Sequence, residues 1–281
     1  MKHKYSMYFK FTDMVNEKGI VYASNYAKEC GFTAVEFLLS ADENSQIPDS
    51  ETAREYKSVL EKKSISVACV SCGASLVSES APNNTLQHVV EKLKKCVDFA
   101  KNVGSPMLHH TLLCKIDTAP KAKYEDIYAS VLNGAVEVAN YAEEYGIRVI
   151  YEPQGWYFNG CERFLRFFTD ITKLCRNTGV CFDVGNTYWV DEEPYDLLRK
   201  IKDYVHHVHI KDYILNNEES EAKTLGNNPI CEIATGSGII KIKDIIEELD
   251  RIGYNGYLSI EDSTEIATKE SLDSIKALTE N

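Results

Sequence analysis

Residues 142–153 read AEEYGIRVIYEP, and this stretch sets the pattern for the chain. A helical run stops at Gly146, a short β-rich run follows from Arg148, and that run closes on a carboxylate, Glu152. Glycine just past a helix supplies the left-handed residue that turns the chain. The same order recurs in both directions. Strand-like runs fall at Tyr5–Phe11, Ala34–Leu39, Ser66–Cys72, Pro106–Leu112, Arg148–Glu152, Val180–Val184, Val205–Ile210 and Tyr257–Glu261. Helical periodicity fills the intervals, as at Glu51–Lys62, Thr85–Val103, Tyr124–Tyr145 and Ile242–Ile252. Gly31, Gly104, Gly146, Gly179 and Gly253 stand between a helix and the next strand.

Eight strand–helix units average about 35 residues each, close to the size of a βαβ element. The strands are mostly apolar on both faces, as strands between a barrel interior and a helix layer must be. The pattern predicts an α/β fold, a closed (β/α)8 TIM barrel, with residues 1–281 as one domain. An open doubly wound sheet fits less well, because no Gly-rich phosphate-binding turn follows the first strand.

Composition narrows the function. Lys and Arg number 31 against 43 Asp and Glu, a formal charge of −12. That balance repels nucleic acid and anionic membrane surfaces. No apolar run reaches membrane-spanning length and the N-terminus lacks a signal-peptide core, so a cytoplasmic location is expected. Nine Cys at irregular spacing, mostly in apolar runs, suit reduced buried thiols. Cys69 and Cys72 have no second CxxC to complete a zinc site and read as packing.

In such a barrel the chemistry sits at the C-terminal ends of the strands. The fifth ends VIYEP at Glu152, the sixth CFDVGN at Asp183, the seventh HVHIKD at His209, and the eighth YLSIED at Glu261. A single strand-end carboxylate is often only a helix N-cap. A charge closing an apolar run is costly unless paired or metal-bound, and four converging ligands point to one divalent metal. One imidazole and three carboxylates suit Mn2+, with Mg2+, Co2+ or Zn2+ also compatible.

These motifs resemble the xylose-isomerase-like barrels, which include sugar-phosphate isomerases and epimerases and the ketose 3-epimerases. GFTAVEF, VIYEP, CFDVGN, HVHIKD, the Gly236–Gly238 GSG and the closing GYNGYLSIED carry the likeness along nearly the whole chain. The resemblance implies that Glu152, Asp183, His209 and Glu261 bind one divalent metal and that Glu152 and Glu261 are acid and base. It also implies that Glu36 lines the pocket. One departure concerns the substrate: the ketose epimerases have a His where this chain has Asn186, and their Arg after the seventh-strand His is replaced by Lys211 nearby.

The expected activity is a sugar, sugar-phosphate or sugar-acid isomerase or epimerase. Chelation of a ketone and its neighbouring hydroxyl stabilises an enediolate, while the two Glu residues move the proton. Dehydration of a keto-inositol or isomerisation of hydroxypyruvate would use the same site. A DNA-repair endonuclease would need more His ligands and a basic face. A non-catalytic sugar-binding barrel would not need both acid/base Glu positions. Substrate contacts are expected from Asn186, Lys211, His110, Trp156 and Glu36, with Trp156, Tyr157, Phe158, Tyr188 and Trp189 as a pocket wall. Of His109 and His110, alternation along the strand turns at least one to the mouth. His206–His207 reads as structural or exposed. The polar stretch from Asn216 to Cys231 reads either as a mobile lid or as an inert surface loop. The partner is a small carbohydrate, with a homo-oligomer common among relatives.

Overall fold

The computed structural model describes residues 3–78, 80–113, 122–215, 222–262 and 268–279. Twelve strands and nine helices run in chain order among them. The strands are β1 (Lys4–Met7), β2 (Ala34–Ser40), β3 (Ser66–Gly73), β4 (Val77–Ser78), β5 (Ala81–Thr85) and β6 (Met107–His110). They continue as β7 (Arg148–Tyr151), β8 (Thr178–Asp183), β9 (Val205–Ile210), β10 (Asp212–Leu215), β11 (Ile230–Ile233) and β12 (Tyr257–Ile260). The helices are α1 (Lys10–Lys18), α2 (Ile20–Cys30), α3 (Ser50–Lys62), α4 (Gln87–Val103) and α5 (Tyr124–Glu143). They end with α6 (Cys161–Leu174), α7 (Pro194–Ile201), α8 (Ile242–Arg251) and α9 (Thr268–Thr279).

Eight strands close in the order β1-β12-β9-β8-β7-β6-β3-β2, every neighbour parallel. This is the (β/α)8 barrel that the alternation predicts. Val35, Phe37, Val70, Leu108, Val149, Tyr151, Val180, Phe182, Val208, Ile210, Leu258 and Ile260 join the main buried core. The alternate positions turn inward; Cys69, Ile150 and Cys181 form a small cluster of their own there. A polar layer lies above it, with Glu36, Ser71, His109, His209 and Ser259 all buried.

Three departures from the expected pattern shape the mouth. The first strand ends at Met7 rather than Phe11, and Phe9 turns at φ 29° just ahead of α1. Two antiparallel hairpins, β4–β5 and β10–β11, interrupt the strand-to-helix order. Gly31, Gly104, Gly146 and Gly253 take positive φ as expected, but Gly179 lies inside β8. There a Cβ would come 2.6 Å from His206 Nδ1, so close packing and not a turn requires glycine.

Of the segment read as a lid, 216–221 lies outside the described residues. The part from 222 is tied down. Asp191 accepts hydrogen bonds from Thr224 Oγ1 (2.7 Å), the Gly226 amide (2.5 Å) and Asn228 Nδ2 (3.0 Å), and Ile230 opens β11. Among the described residues Cys30, Cys69, Cys72, Cys96, Cys175 and Cys181 are buried. Cys114 lies outside the described residues. Among the described residues no helix is long and apolar enough to cross a membrane.

Candidate metal centre

Four neighbouring strands, β7, β8, β9 and β12, deliver Glu152, Asp183, His209 and Glu261 to one point. One donor atom from each lies within 4.8 Å of all the others. Donors sharing a cation sit about 2.0–2.2 Å from it, so small side-chain rotations close a shell. All four residues are buried.

His209 is the hub. Its Nδ1 lies 2.9 Å from Glu152 Oε1 and 3.2 Å from Glu261 Oε2, while its Nε2 lies 3.0 Å from Glu36 Oε1. Tyr8 stacks over the ring at 4.7 Å. Burial works against charging this imidazole, but the surrounding groups, Glu36 and Glu152 among them, outweigh it and raise its pKa well above the ordinary value. A cation taking Nδ1 would displace that proton.

Glu36 stands beneath the cluster with no exposure. Its Oε1 is bonded by Ser71 Oγ (2.5 Å) and His209 Nε2 (3.0 Å), its Oε2 by Ser259 Oγ (2.6 Å) and His207 Nε2 (2.8 Å). Burial alone would push this carboxyl up; the two imidazoles outweigh it and hold it well below the carboxylate range. Glu36 therefore fixes the ring of His209 with Nδ1 toward the site, as carboxylates behind metal-binding histidines do.

Lys211 crosses the other side. Its ammonium lies 2.6 Å from Glu261 Oε1, 3.0 Å from Asp183 Oδ2 and 3.2 Å from Asn186 Oδ1. Asp183 Oδ1 accepts the amides of Gly185 and Asn186, both at 2.7 Å. Gly185 is needed here, because a Cβ would come 2.8 Å from Lys211 Cγ and 2.7 Å from Tyr213 Cε2. Burial raises the Asp183 pKa, with Lys211 opposing; at Glu261 Lys211 and His209 outweigh burial and lower it.

The donor set fits a divalent cation. Asp183 Oδ2 and Glu261 Oε2 are buried with one ion-pair contact each, to Lys211 at 3.0 Å and to His209 at 3.2 Å, and no well-directed hydrogen bond, whereas both oxygens of Glu36 carry two donors each. The alternative triads, Glu36–His207–His209 and Glu152–Cys181–His209, share His209; the first uses a carboxylate already saturated. Three carboxylates beside one ammonium leave a negative excess that a divalent ion offsets.

Other expected residues fall differently. Asn186 is buried at the site, with Nδ2 unbonded. Glu36 does not line the mouth; it lies one layer below, inside the barrel. His110 turns outward from the barrel, its ring edge-on to Tyr151 at 5.2 Å and its Nδ1 on the Thr111 carbonyl. His109 points inward instead, 2.9 Å from Ser71 Oγ and 3.7 Å from Glu152 Oε2; burial lowers its pKa. His207 is fully buried on Glu36, so of the two readings, structural or exposed, it takes the structural one. Phe158 packs in the core against Tyr124, Tyr128 and Phe167, and the Tyr157 hydroxyl holds Ala122. Trp156 is half-buried against the same core, and neither it nor Tyr188 lines the pocket beside Glu152. Trp189 donates to the Tyr213 hydroxyl. Within the polar layer Ser71 and Ser259 are not singled out by the sequence, whereas His109 is the ring of the 109–110 pair that faces inward. The two-residue offset of His207 from His209 and of Ser259 from Glu261 is the signal that points inward.

The GSG motif also has a place. Asp212 accepts the amides of Gly236 (3.1 Å), Gly238 (2.8 Å) and Ile240 (3.0 Å). A Cβ on Gly238 would meet Asp212 Oδ1 and the Tyr213 carbonyl at 2.3 Å.

A profile of the xylose isomerase-like TIM barrel matches residues 25–278. The chain belongs to that family. An inosose dehydratase of Bacillus thuringiensis (strain Al Hakam) is 22% identical over 231 residues, covering 75% of this chain and 76% of its own. The apo 3-keto-D-glucoside 4-epimerase of E. coli superposes with a TM-score of 0.71 at 16% identity, covering 99% of each chain. A Mycobacterium smegmatis xylose isomerase-like barrel in complex with magnesium has a TM-score of 0.69 at 15% identity, over 92% of this chain and 86% of that one.

Proposed function

We propose that this chain is a metal-dependent isomerase or epimerase of a small polyhydroxylated carbonyl compound, with Glu152 and Glu261 as acid and base. The observation that carries it is that these two carboxylates flank His209 and line one pocket. Glu152, Asp183, His209 and Glu261 would hold a divalent cation, Mn2+ by the donor set, with Mg2+ supported by the magnesium-bound neighbour. When bound, the cation supplies Lewis-acid polarisation of the substrate carbonyl.

The chain's own residues do the rest. A carboxylate beside an activated carbon removes its proton as general base, and the second returns one from the other side. Two-sided delivery inverts the centre. Lys211 holds Glu261 in place through its 2.6 Å contact, and Asn186 Nδ2 is a spare donor for a substrate oxygen.

Dehydration is the second reading, favoured by Lys211 and by the inosose dehydratase relative. An ammonium bonded to Glu261 can pass a proton toward a leaving hydroxyl after the same carbon has been deprotonated.

The test is to incubate the Mn2+-loaded protein in D2O with ketoses, sugar acids, their phosphates and a keto-inositol, and follow carbon-bound deuterium by NMR. At Mn2+ concentrations that saturate each variant, Glu152→Gln and Glu261→Gln should lose about 10²–10⁴-fold in exchange rate. Wild-type exchange in both variants would refute the acid/base assignment. Loss of water with the deuterium would select the dehydratase.

A further inference from the structure

The pocket over the barrel mouth has a volume of about 530 Å³, and its two ends differ in chemistry. Glu152, Glu261, His109 and Gln154 line one end. The other runs over the end of β2 to Val15, Phe37, Leu39, Tyr56 and Phe99. Phe37 turns away from the barrel interior, stacks on Tyr56 at 5.9 Å and meets Phe99 edge-on at 5.3 Å. Phe9 also lines the pocket and is held at φ 29°, a conformation bulky residues rarely adopt.

This volume falls within the roughly 300–1,000 Å³ that takes drug-sized ligands. Thr12, Asn16, Ser40, Ser45 and Gln46 also line the pocket and can meet sugar hydroxyls; the rings of Phe37 and Phe99 cannot, and an aryl or alkyl group would bury apolar surface against them. Charge is also decided. Among the described residues lining the pocket there is no Lys or Arg. Lys211 is committed to Asp183 and Glu261.

We propose that the substrate is an uncharged sugar ketone carrying an apolar substituent, its carbonyl end at the carboxylates and its substituent over β2. This deepens the proton-transfer reading and rests on it for the carbonyl end. Continuity of the apolar end with Glu152 and Glu261 in one cavity assigns the occupant.

The test uses the full chain loaded with Mn2+. Its probes are the phenyl and methyl glycosides of one 3-keto-hexopyranose and fructose 6-phosphate, with Kd measured by titration calorimetry. The phenyl glycoside should bind about tenfold tighter than the methyl, and the phosphate more weakly than either. Val15→Phe, which fills the apolar end, should bring the phenyl-to-methyl ratio toward one. Ser45→Trp, on the 41–49 loop at the rim, serves the same purpose should the first variant not fold. Equal affinity for the two glycosides, or preference for the phosphate, overturns the proposal. Deuterium exchange on the same samples separates the two readings. Exchange without phenyl preference overturns the substrate class and leaves proton transfer standing. Phenyl preference without exchange does the reverse.

Discussion

The two halves of the barrel end differently. Strands β7, β8, β9 and β12 close on Glu152, Asp183, His209 with Lys211, and Glu261. Strands β1, β2, β3 and β6 contribute Tyr8 over His209, the buried Glu36, Ser71 and His109, and outside β2 an aromatic wall. One half supplies the proposed ligands and the charge; the other fixes their orientation and shapes a pocket. The same inside–outside alternation runs through both, so what separates them is where in the strand the ionisable group stands. At the last position it faces the mouth; a layer lower, it is sealed beneath.

The largest expected difference is in metal affinity. Asp183→Asn removes a ligand from the first half and should weaken Mn2+ binding by more than about 100-fold, read by titration calorimetry, because a removed ligand costs more than an altered supporting group. Glu36→Gln alters only support from the second half and should cost about 10–100-fold. Equal losses in both would erase the distinction between ligand and support.

Acidity should affect the first half next. A proton on His209, and on Asp183 with its raised pKa, must leave before a cation binds. Affinity for Mn2+ should therefore rise with pH through about 8 as Asp183 ionises. In the metal-free protein the sign for stability is opposite: Asp183 keeps its proton in the fold and loses it in the unfolded chain, so its contribution falls as pH rises through that range. Denaturation midpoints and calorimetry at a series of pH values check both signs.

The smallest contrast lies between two neighbours in β6. His109→Gln should slow exchange, because it removes the group 3.7 Å from Glu152. His110→Phe should leave metal affinity and exchange unchanged, because that ring faces Tyr151. An equal loss in both would show that the strand as a whole, and not its inward face, matters.

Much of the first half was legible because a charge closing an apolar strand is costly, so Glu152, Asp183 and Glu261 stand out from their neighbours. Glu36 was found only by likeness, and its role was not legible. Its partner His207 lies 171 positions away, and only closure of the barrel brings them together. Trp156, Tyr157 and Phe158 follow closely on Glu152 and suggest a pocket wall, yet Tyr157 and Phe158 fill the helix layer. Val15, Phe37 and Phe99 are core; that they also border a cavity depends on a gap in packing that no local pattern carries. The hairpins were hidden for a similar reason, since β10 and β11 pair across a polar stretch.

The most direct measurement is anomalous diffraction at the manganese edge from crystals soaked in Mn2+. One peak about 2.0–2.2 Å from donor atoms of Glu152, Asp183, His209 and Glu261 is the expected result. A peak on Glu36 and His207, or none at saturating Mn2+, would contradict the assignment of the centre.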